Sequence, residues 1–154
     1  MFSKTAVCAL IFCSLNYGGQ PDKVIVPVWS DPNVVKVTFI DKIILKDLKK
    51  YNRPVDAKRY GKYSALHKYG WGSTQFACLN SLWVKESNWS WWSKNKDSGA
   101  YGIPQAWPAT KLATEGRYWR QSAKLQVDWG LKYVKRTYGT PCSAWSAFKI
   151  KGWY

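Results

Sequence analysis

The sequence predicts a mainly α-helical domain built around one cleft-lining loop and preceded by an N-terminal extension. Three observations carry that reading. Apolar residues recur at helical spacing over Phe76–Glu86 and again over Val127–Tyr138. Between those windows runs a segment from Asn88 to Pro108 that is rich in tryptophan. Its Gly99, Gly102, Pro104 and Pro108 rule out a continuous helix. The chain has 154 residues, 46% of them hydrophobic, which is room for one domain plus an extension.

Charge and aromatic content bound the partners. Twenty-four basic residues stand against nine acidic ones, a net charge of +15. Such a balance points to an anionic partner: nucleic acid, a membrane surface or an acidic cell-wall polymer. Of the eleven tryptophans, ten lie between Trp71 and Trp153. Their faces stack on sugar rings and on nucleobases alike, so two partner classes stay open.

The apolar run from Thr5 to Leu15 comes after a single lysine and is too short to span a membrane. Its length suits the core of a signal peptide, so residues 1–15 are expected to be a signal peptide or apolar leader, although no A-x-A site comes after it. A buried strand or helix is the other reading. Between residues 16 and 40, Pro27 interrupts the first of two β-branched runs, Val24–Val28 and Val34–Ile40, which suggests edge strands or an extended linker. Ile43, Ile44, Leu45 and Leu48 predict a short amphipathic helix over Asp41–Lys50. The basic stretch Lys49–Lys62, with Arg53-Pro54, is expected to link this region to the domain beyond it, as a solvated surface that helps attract a polyanion.

The second half is more legible. A brief helix over Ser64–Tyr69 should end at Gly70, and Ser73 or Thr74 should cap the next. In that helix Phe76, Leu79, Leu82, Trp83 and Glu86 fall on one face. Glu86 therefore continues the apolar stripe instead of the polar side. Burial there would disfavour its charged form and raise its pKa towards the range useful to a general acid. A capped, ion-paired or solvent-reaching glutamate is the ordinary alternative. The context favours proton transfer, because Trp89, Trp91 and Trp92 come next in a loop of the kind that lines a cleft. Gln105 at its end offers an amide to a hydroxyl or N-acetyl group. A short helix over Thr110–Thr114 should end near Gly116. A longer one, capped by Ser122, should run to Tyr138 with Gly139 and Pro141 beyond it.

The four cysteines fall into Cys8 and Cys13 in the leader and Cys78 and Cys142 in the second half. The latter two can form a disulfide if the chain is exported; two reduced core thiols are the other reading. With one histidine and no CxxC, neither a structural zinc site nor another cofactor is implied.

These residues resemble a known family. LWVKES at Leu82–Ser87 is similar to the catalytic motif of lysozyme-like lytic transglycosylases, in which a glutamate precedes a serine. SGAYGIPQ at Ser98–Gln105 resembles their glycine-rich turn ending in glutamine, and QVDWGLKYV at Gln126–Val134 resembles their third motif. The actinobacterial secreted type adds GWG at Gly70–Gly72, CL-x-x-LW-x-x-ES at Cys78–Ser87, YGTPC-x-AW at Tyr138–Trp145 and a terminal WY at Trp153–Tyr154, in the same order.

The resemblance covers residues 66–154 and implies a domain of the α+β lysozyme-like superfamily there, with residues 16–65 an extension of unassigned role. It implies a secreted, monomeric enzyme of the cell wall, or one released with a phage, that cleaves peptidoglycan glycan strands. Glu86 would be the catalytic acid/base, giving 1,6-anhydro-muramic ends. Ser87, Gln105, Tyr133 and Trp145 would bind the glycan, and Cys78 and Cys142 would be the paired cysteines. Ala144-Trp145-Ser146 stands in the region where many relatives carry Ala-Tyr-Asn.

From His67 onward the acids are Glu86, Asp97, Glu115 and Asp128. Hydrolytic glycosidases usually need two carboxylates facing one bond. Asp97 is the one candidate partner for Glu86 and reads better as a turn residue, so transglycosylation is favoured over hydrolysis. A wall-binding or virion protein without turnover is the non-enzymatic alternative. Nucleic-acid binding has no motif behind it.

Overall fold

The computed structural model describes residues 38–154, and the expectations for the leader, for Cys8 and Cys13, and for the β-branched runs before Thr38 lie outside them. The described chain is mainly helical. It has five α-helices in order: α1 (Phe39–Lys49), α2 (Pro54–Tyr69), α3 (Ser73–Ser87), α4 (Ala123–Tyr138) and α5 (Pro141–Lys151). Two short 3₁₀ helices, Ala109–Glu115 and Trp119–Gln121, stand between α3 and α4. Among the described residues β-pairing amounts to two isolated bridges, Lys94 with Tyr101 and Tyr101 with Ala106.

Local chemistry explains the ends. Thr38 and Asp41 form a reciprocal capping box on α1, each side chain taking the other's backbone N–H. Phe39 and Ile40 thus open a helix and do not extend a β-branched run. Pro54 occupies the first turn of α2, where a missing N–H costs nothing, and Gly70 ends the helix at φ 66°. Gly72, not Ser73 or Thr74, caps α3. Ser122 caps α4 as expected, its hydroxyl accepting from the Leu125 N–H at 3.3 Å.

Helix α2 is a correction to the expected organisation. The stretch read as a basic linker is helical from Pro54, and the boundary placed between residues 65 and 66 falls inside it. Ala57, Gly61, Ser64 and Ala65 are buried, and the described residues 38–154 all belong to one compact unit.

The core gathers Leu79, Leu82 and Trp83 of α3, Val127, Leu131 and Val134 of α4, Ala144 of α5, and Trp89 and Ile103 of the loop. Each fully buried large apolar side chain contributes about 1.5–3 kcal/mol. Glycines let the two largest rings in. A Cβ on Gly61 would stand 2.8 Å from the Trp89 ring, and one on Gly130 would stand 2.5 Å from the Trp83 ring. Helix α5 packs along α3, and Cys78–Cys142 cross-links the pair as a disulfide. No described helix is long and apolar enough to cross a membrane.

Candidate active site

Glu86 sits in the last turn of α3, one residue before the helix ends. The stripe below it, Phe76, Leu79, Leu82 and Trp83, is buried as its spacing requires. Carried on that stripe, the Glu86 carboxyl is half-buried, and it has no hydrogen bond or ion pair with any described residue. Burial alone pushes its pKa from the ordinary 4.5 up to about 7. The negative end of the α3 dipole acts in the same direction.

The carboxyl opens into a cavity of about 520 Å³. The loop supplies one wall with Ala100, Pro104, Gln105 and Trp107, and α4 supplies Trp129 and Tyr133. Residues beyond α5 close it with Gly152, Trp153 and Tyr154. Trp107 and Trp153 are 66% and 61% exposed, against 2% for Trp89, so the rim presents indole faces to solvent. Tyr133 lies flat on Trp129, 5.1 Å between centroids and 8° between planes, and meets Tyr154 nearly edge-on at 5.7 Å.

The turn Gly102–Gln105 is fixed from several directions. The Ser87 hydroxyl donates to the Ile103 carbonyl at 2.8 Å. The Tyr154 hydroxyl donates to the Pro104 carbonyl at 3.1 Å and accepts from the Trp83 indole N–H at 2.9 Å. Gln126, fully buried on α4, accepts from the Ile103 N–H at 3.0 Å and donates to the carbonyls of Trp91 (3.0 Å) and Trp119 (2.9 Å). Burial, and then the nearby Glu86 charge, hold the Tyr154 phenol well above its ordinary pKa. Three non-glycine residues adopt positive φ here: Asn88 (52°), Trp89 (61°) and Gln105 (47°). For a bulky residue such as Trp89 that conformation is costly, and such residues cluster at functional sites.

The expected site residues divide. Glu86, Gln105 and Tyr133 meet in the cavity. Ser87 and Trp145 do not line it. The Ser87 hydroxyl is spent on the loop carbonyl, and Trp145 stacks on Phe148 of its own helix at 5.5 Å. Gln105 keeps only part of its expected role. Its amide nitrogen donates to the Gly102 carbonyl at 2.8 Å and the Ser93 carbonyl at 3.3 Å, which leaves its oxygen for a ligand. The tryptophans after Glu86 are not cleft walls either. Trp89 is core, its N–H donating to Asn80 at 3.1 Å, and Trp91 and Trp92 lie outside the lining. The walls that sequence reasoning missed, Trp107, Trp129, Trp153 and Tyr154, come from three distant segments. Trp107 lies in the loop expected to line a cleft, Trp129 in the third motif and Trp153–Tyr154 in the terminal pair, but nothing in the sequence marks any of them as a wall.

The other acids are occupied elsewhere. Asp97 is exposed in a turn where the Asn95 side chain accepts from the N–H groups of Asp97 and Ser98, both at 2.9 Å. Glu115 pairs with Lys132 at 2.7 Å. Asp128 is buried, which opposes its ionisation, yet hydrogen bonds from Lys124, Lys68 and Tyr60 hold its pKa below the ordinary carboxylate value. Glu86 is the one carboxylate in the cavity among the described residues. No family model, no curated protein and no solved structure matches the chain.

Proposed function

We propose that the chain is a lysozyme-like lytic transglycosylase acting on peptidoglycan. The observation that carries this reading is Glu86, a single uncompensated carboxyl in an aromatic-walled cavity, with its pKa raised to about 7. The motif resemblance over residues 66–154 agrees with it. Protonated Glu86 gives its proton to the glycosidic oxygen as the bond to the muramic acid C1 breaks. The resulting carboxylate takes the proton of the same sugar's 6-hydroxyl, whose oxygen bonds to C1. The products are a free N-acetylglucosamine 4-hydroxyl and a 1,6-anhydro-muramic end, and Glu86 is again protonated.

One group serving in turn as acid and base needs no second carboxylate. Attack by external water normally uses one, and the lining residues offer none. The indole face of Trp107, and the face of Trp153 away from Lys151, which lies over that ring at 4.8 Å, suit the apolar faces of the sugars. The Gln105 oxygen suits an N-acetyl N–H. The Cys78–Cys142 disulfide supports an exported protein, since such cross-links persist in oxidising compartments.

Mass spectrometry of fragments released from purified peptidoglycan by the wild type and by Glu86→Gln tests the reading. Anhydro-muramic ends from the wild type alone are expected. Reducing ends would mean hydrolysis, and wall binding without release by either protein would mean a binding module.

A further inference from the structure

A second cavity of about 520 Å³ lies at the start of α2 and shares no lining residue with the Glu86 cleft. We propose that it is a binding site for a phosphodiester-linked polyol or sugar polymer. Lys50, Arg53 and Arg59 face it, against one carboxylate, Asp56.

The arrangement is more specific than the general basicity of the chain. Asp56 is buried, and it takes the Arg53 Nε at 2.5 Å and one Arg59 terminal nitrogen at 3.4 Å. The Arg53 hydrogen bond is the main reason that Asp56 ionises more readily than usual. The carboxylate therefore holds two guanidiniums side by side through one edge of each. The Arg53 and Arg59 side chains remain 79% and 78% exposed. Their remaining N–H groups have no acceptor among the described residues, and a planar fork of that kind matches phosphate oxygens. The positive end of the α2 dipole adds to the same potential.

The tyrosines decide between polymer classes. A nucleic acid would need open ring faces for its bases. Tyr51 and Tyr60 pack on each other at 4.7 Å, Lys50 lies over Tyr51 at 5.8 Å, and Lys124 lies over Tyr60 at 5.1 Å. Tyr63 has His67 against it at 4.1 Å. Only Tyr63, 62% exposed, keeps an open ring face, too little for a run of stacked bases. The Tyr60 hydroxyl is held by Asp128, so what the cavity offers is cations and the Tyr51 and Tyr63 hydroxyls, which suit phosphates and polyol or sugar hydroxyls. Naming the ligand as a polymer of the bacterial wall rests on the proposed function; the site's chemistry does not. Binding here would hold the enzyme on the wall independently of turnover at Glu86.

The test is titration of the full chain with polyglycerol phosphate and, separately, with single-stranded DNA of equal charge, at several salt concentrations. Lys50→Gln/Arg59→Gln leaves the Arg53–Asp56 contact and so the start of α2 in place. It should weaken polyglycerol phosphate binding at least tenfold and flatten the salt dependence. Arg53→Lys should weaken binding several-fold although the charge is kept. Glu86→Gln and the equal charge loss Lys135→Gln/Arg136→Gln should leave binding unchanged. Equal weakening by Lys135→Gln/Arg136→Gln would reduce the site to diffuse charge. Tighter binding of DNA, lost in Tyr63→Ala, would make it a nucleic-acid site. Either result would overturn the proposal, and neither depends on whether the wild type cleaves peptidoglycan.

Discussion

A carboxyl that must act first as acid and then as base works best with its pKa near the working pH. Glu86 meets that condition because the apolar stripe of α3 carries it into a half-buried position where no described cation pairs with it. On the proposed mechanism its proton is present when the bond breaks, so kcat/KM for fragment release should be level below about pH 7 and fall above it, approaching about tenfold per pH unit. A rate that stays level to pH 9 would remove Glu86 from the donor role.

The same shift costs stability. In the unfolded chain Glu86 ionises near 4.5 and in the folded chain near 7, so the fold holds the proton more firmly. Its stabilising effect is complete below the unfolded value and is lost as pH rises through the folded one. Glu86→Gln should therefore stabilise the protein at pH 8 by about 1–2 kcal/mol, after allowance for solvent screening, and by nothing at pH 4. Urea melts at the two pH values read this directly, and an equal effect at both would contradict the burial argument.

At the scale of elements, the site depends on how the loop after α3 is tied to α4. Gln126 satisfies one N–H and one carbonyl of that loop, together with the Trp119 carbonyl of the second 3₁₀ helix, from inside the core. Gln126→Leu keeps the volume but leaves these groups unpaired, at a cost of about 3 kcal/mol or more. We expect a matching fall in the urea midpoint and, in the folded fraction, a kcat that drops more than KM changes, because the Gly102–Gln105 turn would no longer be held. Unchanged kcat in the folded fraction would show that Ser87 and Tyr154 suffice to fix the turn.

Hydrophobic contrast decided which of these elements could be read from the sequence. Helices α3 and α4 were legible because bulky apolar residues mark their buried faces. Helix α2 was not, since its buried face is Ala57, Gly61, Ser64 and Ala65 while Val55, Tyr63 and Leu66 stand exposed among its lysines and arginines, which leaves little hydrophobic contrast. Glu86 was legible for the same reason as α3. The Trp89 assignment failed because a polar-flanked tryptophan looks exposed until Gly61 of another helix is known to receive it. Gln126 was invisible because a buried glutamine has no periodic signature; only its three partners reveal it.

At the scale of the molecule, the cavity closes only because the segment after α5 lies across the end of α3. Two ties hold it there: the Cys78–Cys142 disulfide near the start of both helices and the Trp83–Tyr154 hydrogen bond at the far end of α3. The cross-link spans 64 residues, for which chain entropy predicts a stabilisation of about 4 kcal/mol. Cys78→Ser/Cys142→Ser should lower Tm by roughly 10–20 °C. Well below that lowered Tm, two outcomes separate the ties. If the disulfide positions α5, fragment release should fall although the protein remains folded, and tryptophan fluorescence should become more accessible to a quencher as Trp83 loses its cover. If release and quenching stay at wild-type levels, the Tyr154 hydroxyl alone seats the chain end. Tyr154→Phe, which removes the hydrogen bonds to Trp83 and Pro104 and little else, should then impair release without a comparable loss of Tm.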